Sequence, residues 1–254
     1  MPNLQCMPDL PDAIVLCGGA GVRLRSVTEG APKSMAGIAG RPFLELLLKQ
    51  LRRHGFDRVI LAVGYRRDAI RERFGDRACG LEVAYSEEPS PLGTGGASRN
   101  AAGLVTSEDA LIMNGDSYTG ANLRQFAAGH LASGAEASLV VVPVDGRSDC
   151  GTVDVSPGGR LAGFAEKDGS AGGGYVNAGI YMASRRMLYE IPDGPVSLER
   201  ELFPRWLEEG RDIRAFVWQG ACVDIGTPER YWSAQEFLGS VETGESAPRR
   251  KGRQ

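Results

Sequence analysis

The residues best suited to chemistry are two glycine-rich segments, a few cations and two aspartates, most of them at strand-to-loop junctions. The stretch Leu16-Cys17-Gly18-Gly19-Ala20-Gly21-Val22-Arg23-Leu24 follows an apolar run and ends in an arginine. Glycines after a strand let the backbone approach a phosphate, and N–H groups at a following helix start attract anions. Two known templates fail here. G-x-G-x-x-G lacks its third glycine, with Arg23 in the region where it would fall, and G-x-x-x-x-G-K-[ST] fails because Pro32 precedes Lys33-Ser34. What remains is a glycine loop with Arg23 and, further on, Lys33. Two cations over one loop suit a charge-rich polyphosphate such as a nucleoside triphosphate. Taken singly, the loop also reads as a tight turn, and each cation as a solvated surface charge.

A second glycine segment, Pro91-Leu92-Gly93-Thr94-Gly95-Gly96-Ala97, has little side chain to keep a flat base away from its backbone. The alternative is a plain loop before a helix from Gly96. Asn114-Gly115-Asp116 ends a strand in a carboxylate, and ligands of doubly wound sheets bind beyond the carboxyl ends of strands. Val223-Asp224-Ile225-Gly226-Thr227-Pro228 presents Asp224 in a similar setting. Two aspartates converging from distant segments suit Mg²⁺, which takes few carboxylates along with phosphates and waters. Each alone also reads as a turn or helix cap.

These groups need elements to position them. Apolar runs at 12–17, 57–64, 81–86, 110–116 and 137–144 read as strands, and the stretches 41–55, 66–76 and 121–134 as helices. Leu44, Leu47, Leu48 and Leu51 recur at helical spacing, Pro42 suits the first turn and Gly55 the stop. Alternating strands and helices predict an α/β fold with a doubly wound, mostly parallel sheet. Beyond about residue 145 the pattern changes. It predicts a hairpin at 150–167, a strand at 175–184, a helix at 196–210 capped by Ser197 and interrupted by Pro204, a strand pair within 212–227 and a last helix from Pro228. This part reads as a smaller α+β elaboration covering one side of the sheet. The expected organisation is an extension at 1–11, one domain at 12–238 with halves of about 12–145 and 146–238, and a basic, disordered tail at 239–254.

Composition excludes several classes. The 254 residues are 42% hydrophobic, enough for a full core, and the formal net charge is -3, so no nucleic-acid footprint covers the domain. The five cysteines are scattered with no C-x-x-C pair, which argues against a disulfide framework or zinc site and for reduced thiols in a cytoplasmic protein. No signal peptide and no membrane-spanning run is read from the sequence. His54 and His130, the two histidines, read as surface residues, leaving Ser-His or Cys-His catalysis little support.

In order, the chain carries GGAGVRL, PKSM, PLGTGGA, NGD, Glu166-Lys167, Val176-Asn177-Ala178-Gly179 and VDIGTP. As a set this resembles the sugar-1-phosphate nucleotidylyltransferases over roughly residues 12–238. The segments EEPSPLGTGGA, GYVNAGIYMASRR and SLERELFPRWL look most like guanylyltransferases of heptose 1-phosphate, with those of mannose 1-phosphate as near neighbours. The resemblance implies a Rossmann-like fold of the nucleotide-diphospho-sugar transferase type, with the smaller α+β part binding the sugar. It implies that Leu16, Gly18, Gly19, Gly21 and Arg23 hold the triphosphate, and that Lys33 positions it. Gly93, Thr94 and Glu87 or Glu88 would read the base. Asp116 and Asp224 would bind Mg²⁺, Lys167 the phosphate of the sugar phosphate, and Glu166, Asn177 and Gly151 the sugar. Arg23, Lys33, Asp116, Lys167 and Asp224 are the implied catalytic set. The implied partners are GTP and a sugar 1-phosphate, with homo-oligomerisation left open. Two departures stand out: Cys17 where the family usually has alanine, and Val22 where it usually has threonine. A non-catalytic binding module on the same fold is the alternative from another class.

Overall fold

The computed structural model describes residues 9–144, 152–165 and 174–243. Strand β1 (Asp12–Leu16) leads through a 3₁₀ turn at Val22–Leu24 into α1 (Arg25–Thr28), followed by a 3₁₀ turn at Lys33–Met35. A two-residue ribbon, β2 (Gly37–Ile38) and β3 (Arg41–Pro42), precedes α2 (Phe43–Arg53). Then come β4 (Arg58–Val63), α3 (Arg67–Phe74), β5 (Arg77–Ala78), β6 (Leu81–Glu87), α4 (Gly93–Ala101), β7 (Asp109–Asn114), β8 (Ser117–Thr119), α5 (Leu123–Ser133) and β9 (Ala137–Pro143). The later part holds β10 (Thr152–Val155), β11 (Leu161–Ala165), β12 (Tyr175–Ser184), α6 (Arg185–Glu190), a π-helical turn at Leu198–Leu202, α7 (Phe203–Glu208), β13 (Ile213–Val217), β14 (Cys222–Asp224) and α8 (Pro228–Thr243).

The centre of the sheet is parallel, in the order β6-β4-β1-β7. Ala13 and Val15 of β1 enter one core layer and Ile14 the other, all fully buried, as expected of a strand covered on both faces. One layer takes the apolar stripes of α2, α3, α5 and α8, including Leu44, Phe126 and Leu238. The other takes α4, α6, the π turn and α7, including Ala97, Leu188, Leu202 and Trp206. The expected doubly wound α/β architecture is therefore present, with helices on both faces.

The later strands depart from the expected arrangement. They do not cover one side of the sheet but extend it. β12 runs antiparallel to β7 over Ile180–Ser184 and to β10 over Tyr175–Val176, with β9 along its other edge and β13 beyond that. β13 and β14 are not a pair: β13 joins β9 and β14 joins β8. The helix expected over 41–55 begins at Phe43, because Arg41-Pro42 is drawn into the β2–β3 ribbon. The interruption expected at Pro204 takes the form of the π turn, which lets a new helix begin with proline in its first turn. His130 is buried, not at the surface: Nδ1 is 2.8 Å from Ser138 Oγ and Nε2 3.4 Å from Asp109 Oδ1. Among the described residues no helix is long and apolar enough to cross a membrane.

Candidate active site

Beyond the carboxyl ends of β1 and β7 lies an open cavity of about 450 Å³. Its walls include Arg23, Lys33, Gly93, Thr94, Asp116, Asn177 and Asp224, seven residues singled out by sequence and drawn from six separate segments. Leu16, Gly18, Gly19 and Gly21 form the strand end and loop leading to Arg23 without lining the cavity. Gly21 lies against Lys33: a Cβ there would come 2.8 Å from Lys33 Cβ.

The acidic wall follows from strand pairing. At Gly115 the chain turns across the end of β1, donating its N–H to Leu16 O at 3.0 Å. β8 then pairs antiparallel with β14, which sets Asp224 opposite Ser117 and next to Asp116; Ile225 N donates to Asp116 O at 3.0 Å. Each carboxylate has a cation. Lys33 Nζ bonds Asp116 Oδ2. Arg230 Nη1 donates to Asp224 Oδ1 and Oδ2 at 3.0 and 2.8 Å, and Gly226 N to Oδ1 at 2.8 Å. Arg230 was not singled out in the sequence. The signal was there: Pro228 starts a helix whose first turn folds back over the strand carrying Asp224. Among the described residues no three His, Cys, Asp or Glu side chains cluster as metal ligands. Two hard carboxylates beside a cavity fit Mg²⁺ completed by phosphates and waters, rather than an all-protein cage.

The opposite wall is built by an irregular strand. The β9–β12 register shifts between Asn177 and Tyr181, and Gly179 inside that bulge takes φ +73°. A Cβ there would come 2.8 Å from Asn114 Nδ2, so glycine serves both conformation and space. The bulge puts Asn177 on the cavity wall. Asn177 Nδ2 donates to Tyr181 OH at 2.7 Å, while its Oδ1 accepts from Gly179 N at 3.0 Å. Tyr181 OH donates to Glu199 Oε1 at 2.8 Å, and Glu199 Oε2 accepts from Thr94 Oγ1 at 2.5 Å and Ser197 Oγ at 2.9 Å. Burial holds the Tyr181 phenol well above its ordinary pKa, so it stays a donor.

The second glycine segment differs from its expected form. It is the first turn of α4, beginning at Gly93 rather than Gly96. Its glycines face the chain itself: Gly95 N and Gly96 N donate to Val196 O at 2.9 and 3.2 Å, and Val196 N donates to Leu92 O at 2.9 Å. The two glutamates before it separate. Glu87 pairs with Arg67 and Arg71 on α3 at 3.5 and 3.3 Å and does not line the cavity. Glu88 is buried against Gly18, whose missing Cβ leaves room for the carboxyl, and accepts from Leu92 N at 3.2 Å. Burial raises its pKa above the ordinary carboxylate value. Cys17, below the first loop, is buried, and its thiol is pushed up to about 12 by that burial, so it stays an inert packing group. Val22 is 68% exposed. Gly151, Glu166 and Lys167 lie outside the described residues.

Residues 12–241 match the family described as nucleotidyl transferase. The chain belongs to this family. It is 39% identical over 87% of its length to a mannose-1-phosphate guanylyltransferase of Mycobacterium tuberculosis, of which it spans 62%. It is 35% identical over 89% of its length to the D-glycero-alpha-D-manno-heptose 1-phosphate guanylyltransferase of Aneurinibacillus thermoaerophilus, covering 98% of that protein. Among solved structures, HddC from Yersinia pseudotuberculosis superposes with a TM-score of 0.80 at 32% identity, covering 90% of this chain and 100% of that one. A second HddC structure, complexed with GMP-PN, gives 0.79 over the same shares.

Proposed function

We propose that the protein is a sugar-1-phosphate guanylyltransferase that transfers GMP from GTP to a heptose 1-phosphate and releases pyrophosphate. The observation that carries this reading is the pairing of β8 with β14, which brings Asp116 and Asp224, with Lys33 and Arg230, to one cavity opposite Thr94 and Asn177. Family membership, the guanylyltransferase relatives and the GMP-PN complex of HddC support the reaction class and the base. Mannose 1-phosphate is the second reading, favoured by the 39% identical relative.

The chemistry is one in-line displacement. A phosphate oxygen of the sugar 1-phosphate bonds to the α-phosphorus of GTP, and the bond from that phosphorus to the oxygen bridging to the β-phosphorus breaks. The nucleophile is already ionised near neutral pH, so the site needs no histidine base. Positioning and charge stabilisation do the work. Arg23, exposed beyond the glycine loop, is a cation for the triphosphate. Lys33 and Arg230 offset charge around the reacting phosphates, and the glycine loop offers backbone N–H groups. Gly93 and Thr94 at the start of α4, which line the cavity, read the base. Asn177 faces the sugar. Lys167 is assigned the phosphate of the sugar 1-phosphate, and Glu166 and Gly151 the sugar. Mg²⁺ held by Asp116 and Asp224 would neutralise phosphate charge.

The test is pyrophosphate release from each of the nucleoside triphosphates with a panel of sugar 1-phosphates and Mg²⁺. Release with GTP and heptose 1-phosphate is expected. Release with GTP and mannose 1-phosphate alone selects the second reading. No release with any pair refutes catalysis and leaves a binding module.

A further inference from the structure

Glu199 was not singled out in the sequence, and nothing in the proposed displacement uses it. Yet its carboxylate lies where the two substrates' walls meet. It accepts from Thr94, one residue after the start of α4, and through Tyr181 it reaches Asn177 on the strand bulge. A π-helical turn with its N-terminal end capped by Ser197 holds it there. Such turns are uncommon and concentrate at functional sites.

Resting on the guanylyltransferase reading, we propose that Glu199 is a positioning residue, which orients Asn177 for the sugar through Tyr181 and fixes Thr94 on the nucleotide side. The direction of each bond makes the argument. Glu199 can only accept, so the Tyr181 hydrogen is committed to it and the phenolic oxygen is left to accept from Asn177 Nδ2. That fixes which end of the Asn177 amide is N and which O, since Oδ1 takes the Gly179 N–H. One Asn177 N–H and one lone pair remain for a ligand. On the other side, Thr94 Oγ1 accepts from Leu198 N at 2.8 Å and gives its hydrogen to Glu199, so its rotamer is held from two directions. Without the carboxylate, the hydroxyls of Tyr181, Thr94 and Ser197 each lose the acceptor that sets their direction.

Tyr181→Phe removes the hydroxyl shared by Asn177 and Asn114, leaves the bond between Glu199 and Thr94 in place, and keeps the ring, which packs 5.3 Å from the Phe203 ring. Steady-state kinetics with GTP and the sugar 1-phosphate used by the wild type, together with thermal unfolding, test the proposal. Tyr181→Phe is expected to raise KM for the sugar 1-phosphate by up to about tenfold, the scale of one neutral hydrogen bond, while KM for GTP stays within about twofold. Glu199→Gln is expected to raise both. Unmoved KM values with a lowered melting temperature would show a purely structural role and overturn the proposal. So would Tyr181→Phe raising both KM values equally. A wild-type protein that turns over no sugar 1-phosphate sinks the guanylyltransferase reading and this inference with it; an active wild type whose variants keep its KM values sinks this inference alone.

Discussion

Gly93→Ala probes how the later half of the chain holds the nucleotide side of the site. Gly93 has φ +70°, and a Cβ there would lie 2.6 Å from Val196 O and 3.1 Å from Val196 C. A left-handed conformation costs a non-glycine residue roughly 1–2 kcal/mol. The clash is with backbone, so no side chain can swing aside. Val196 must shift, and its carbonyl accepts from Gly95 N and Gly96 N at 2.9 and 3.2 Å. Weakening those bonds costs up to about 1 kcal/mol each, for a total of roughly 2–4 kcal/mol. At about 2–4 °C per kcal/mol for a domain near this size, the melting temperature should fall by roughly 5–15 °C. The shift also drags Ser197 and Glu199, so kcat/KM should fall at temperatures where the variant is fully folded. Gly129→Ala is the control: it sits in α5 with no atom within 4 Å of the new methyl. It should gain about 0.5–1 kcal/mol. Scanning calorimetry and steady-state kinetics read both variants. A Gly93→Ala protein melting within about 1 °C of wild type would refute the reasoning, since strain alone should exceed that.

Three further outcomes are expected. Asp116→Ala should lower kcat by about 100-fold or more with the fold retained; wild-type-like turnover would remove Asp116 from the catalytic set. Val22→Thr adds a hydroxyl at a 68% exposed position of the first loop and should lower the nucleotide KM by about 2–5-fold; an unchanged KM would show that the backbone alone holds the phosphates. Burial raises the folded-state pKa of Glu88, so its contribution to stability is fully present below the ordinary carboxylate range and is lost as pH rises through the raised pKa. Glu88→Gln should then be the more stable protein at neutral pH, the gap closing below the ordinary carboxylate range; urea unfolding across pH reads this, and a gap independent of pH would contradict it.

Periodicity made the centre of the fold legible. β1 and β4 are short continuous apolar runs, and the leucines of α2 recur at helical spacing, so burial on both faces and on one stripe could be read directly. Long-range partners could not. The glycines at 93, 95 and 96 were legible as bare backbone, and Gly93 does line the cavity, but that each packs against the segment around Val196, a hundred residues away in the chain, was not legible. Glu87 and Glu88 are adjacent and chemically identical. Arg67 and Arg71, one helical turn apart, offered a partner to one of them, but only the packing of α3 against β6 selects Glu87. His130 looked like a polar helix residue because its partners, Ser138 and Asp109, come from two different strands.

At the site, much of what the sequence left illegible is what the later residues do to the earlier ones, and it bears on how the site is built. β14 turns a lone aspartate at the end of β7 into half of a two-carboxylate wall, because its pairing with β8 delivers Asp224. Val196 seats the first turn of α4, and Glu199 ties Thr94 to the bulge that carries Asn177. The glycine loop after β1 rests on elements of the first half of the chain, but neither the acidic wall nor the orientation of the Asn177 amide exists until those later strands have joined the sheet. A substitution that loosens the segment at 194–202 should therefore be felt on the nucleotide side as well as the sugar side, although no residue of the first glycine loop has changed.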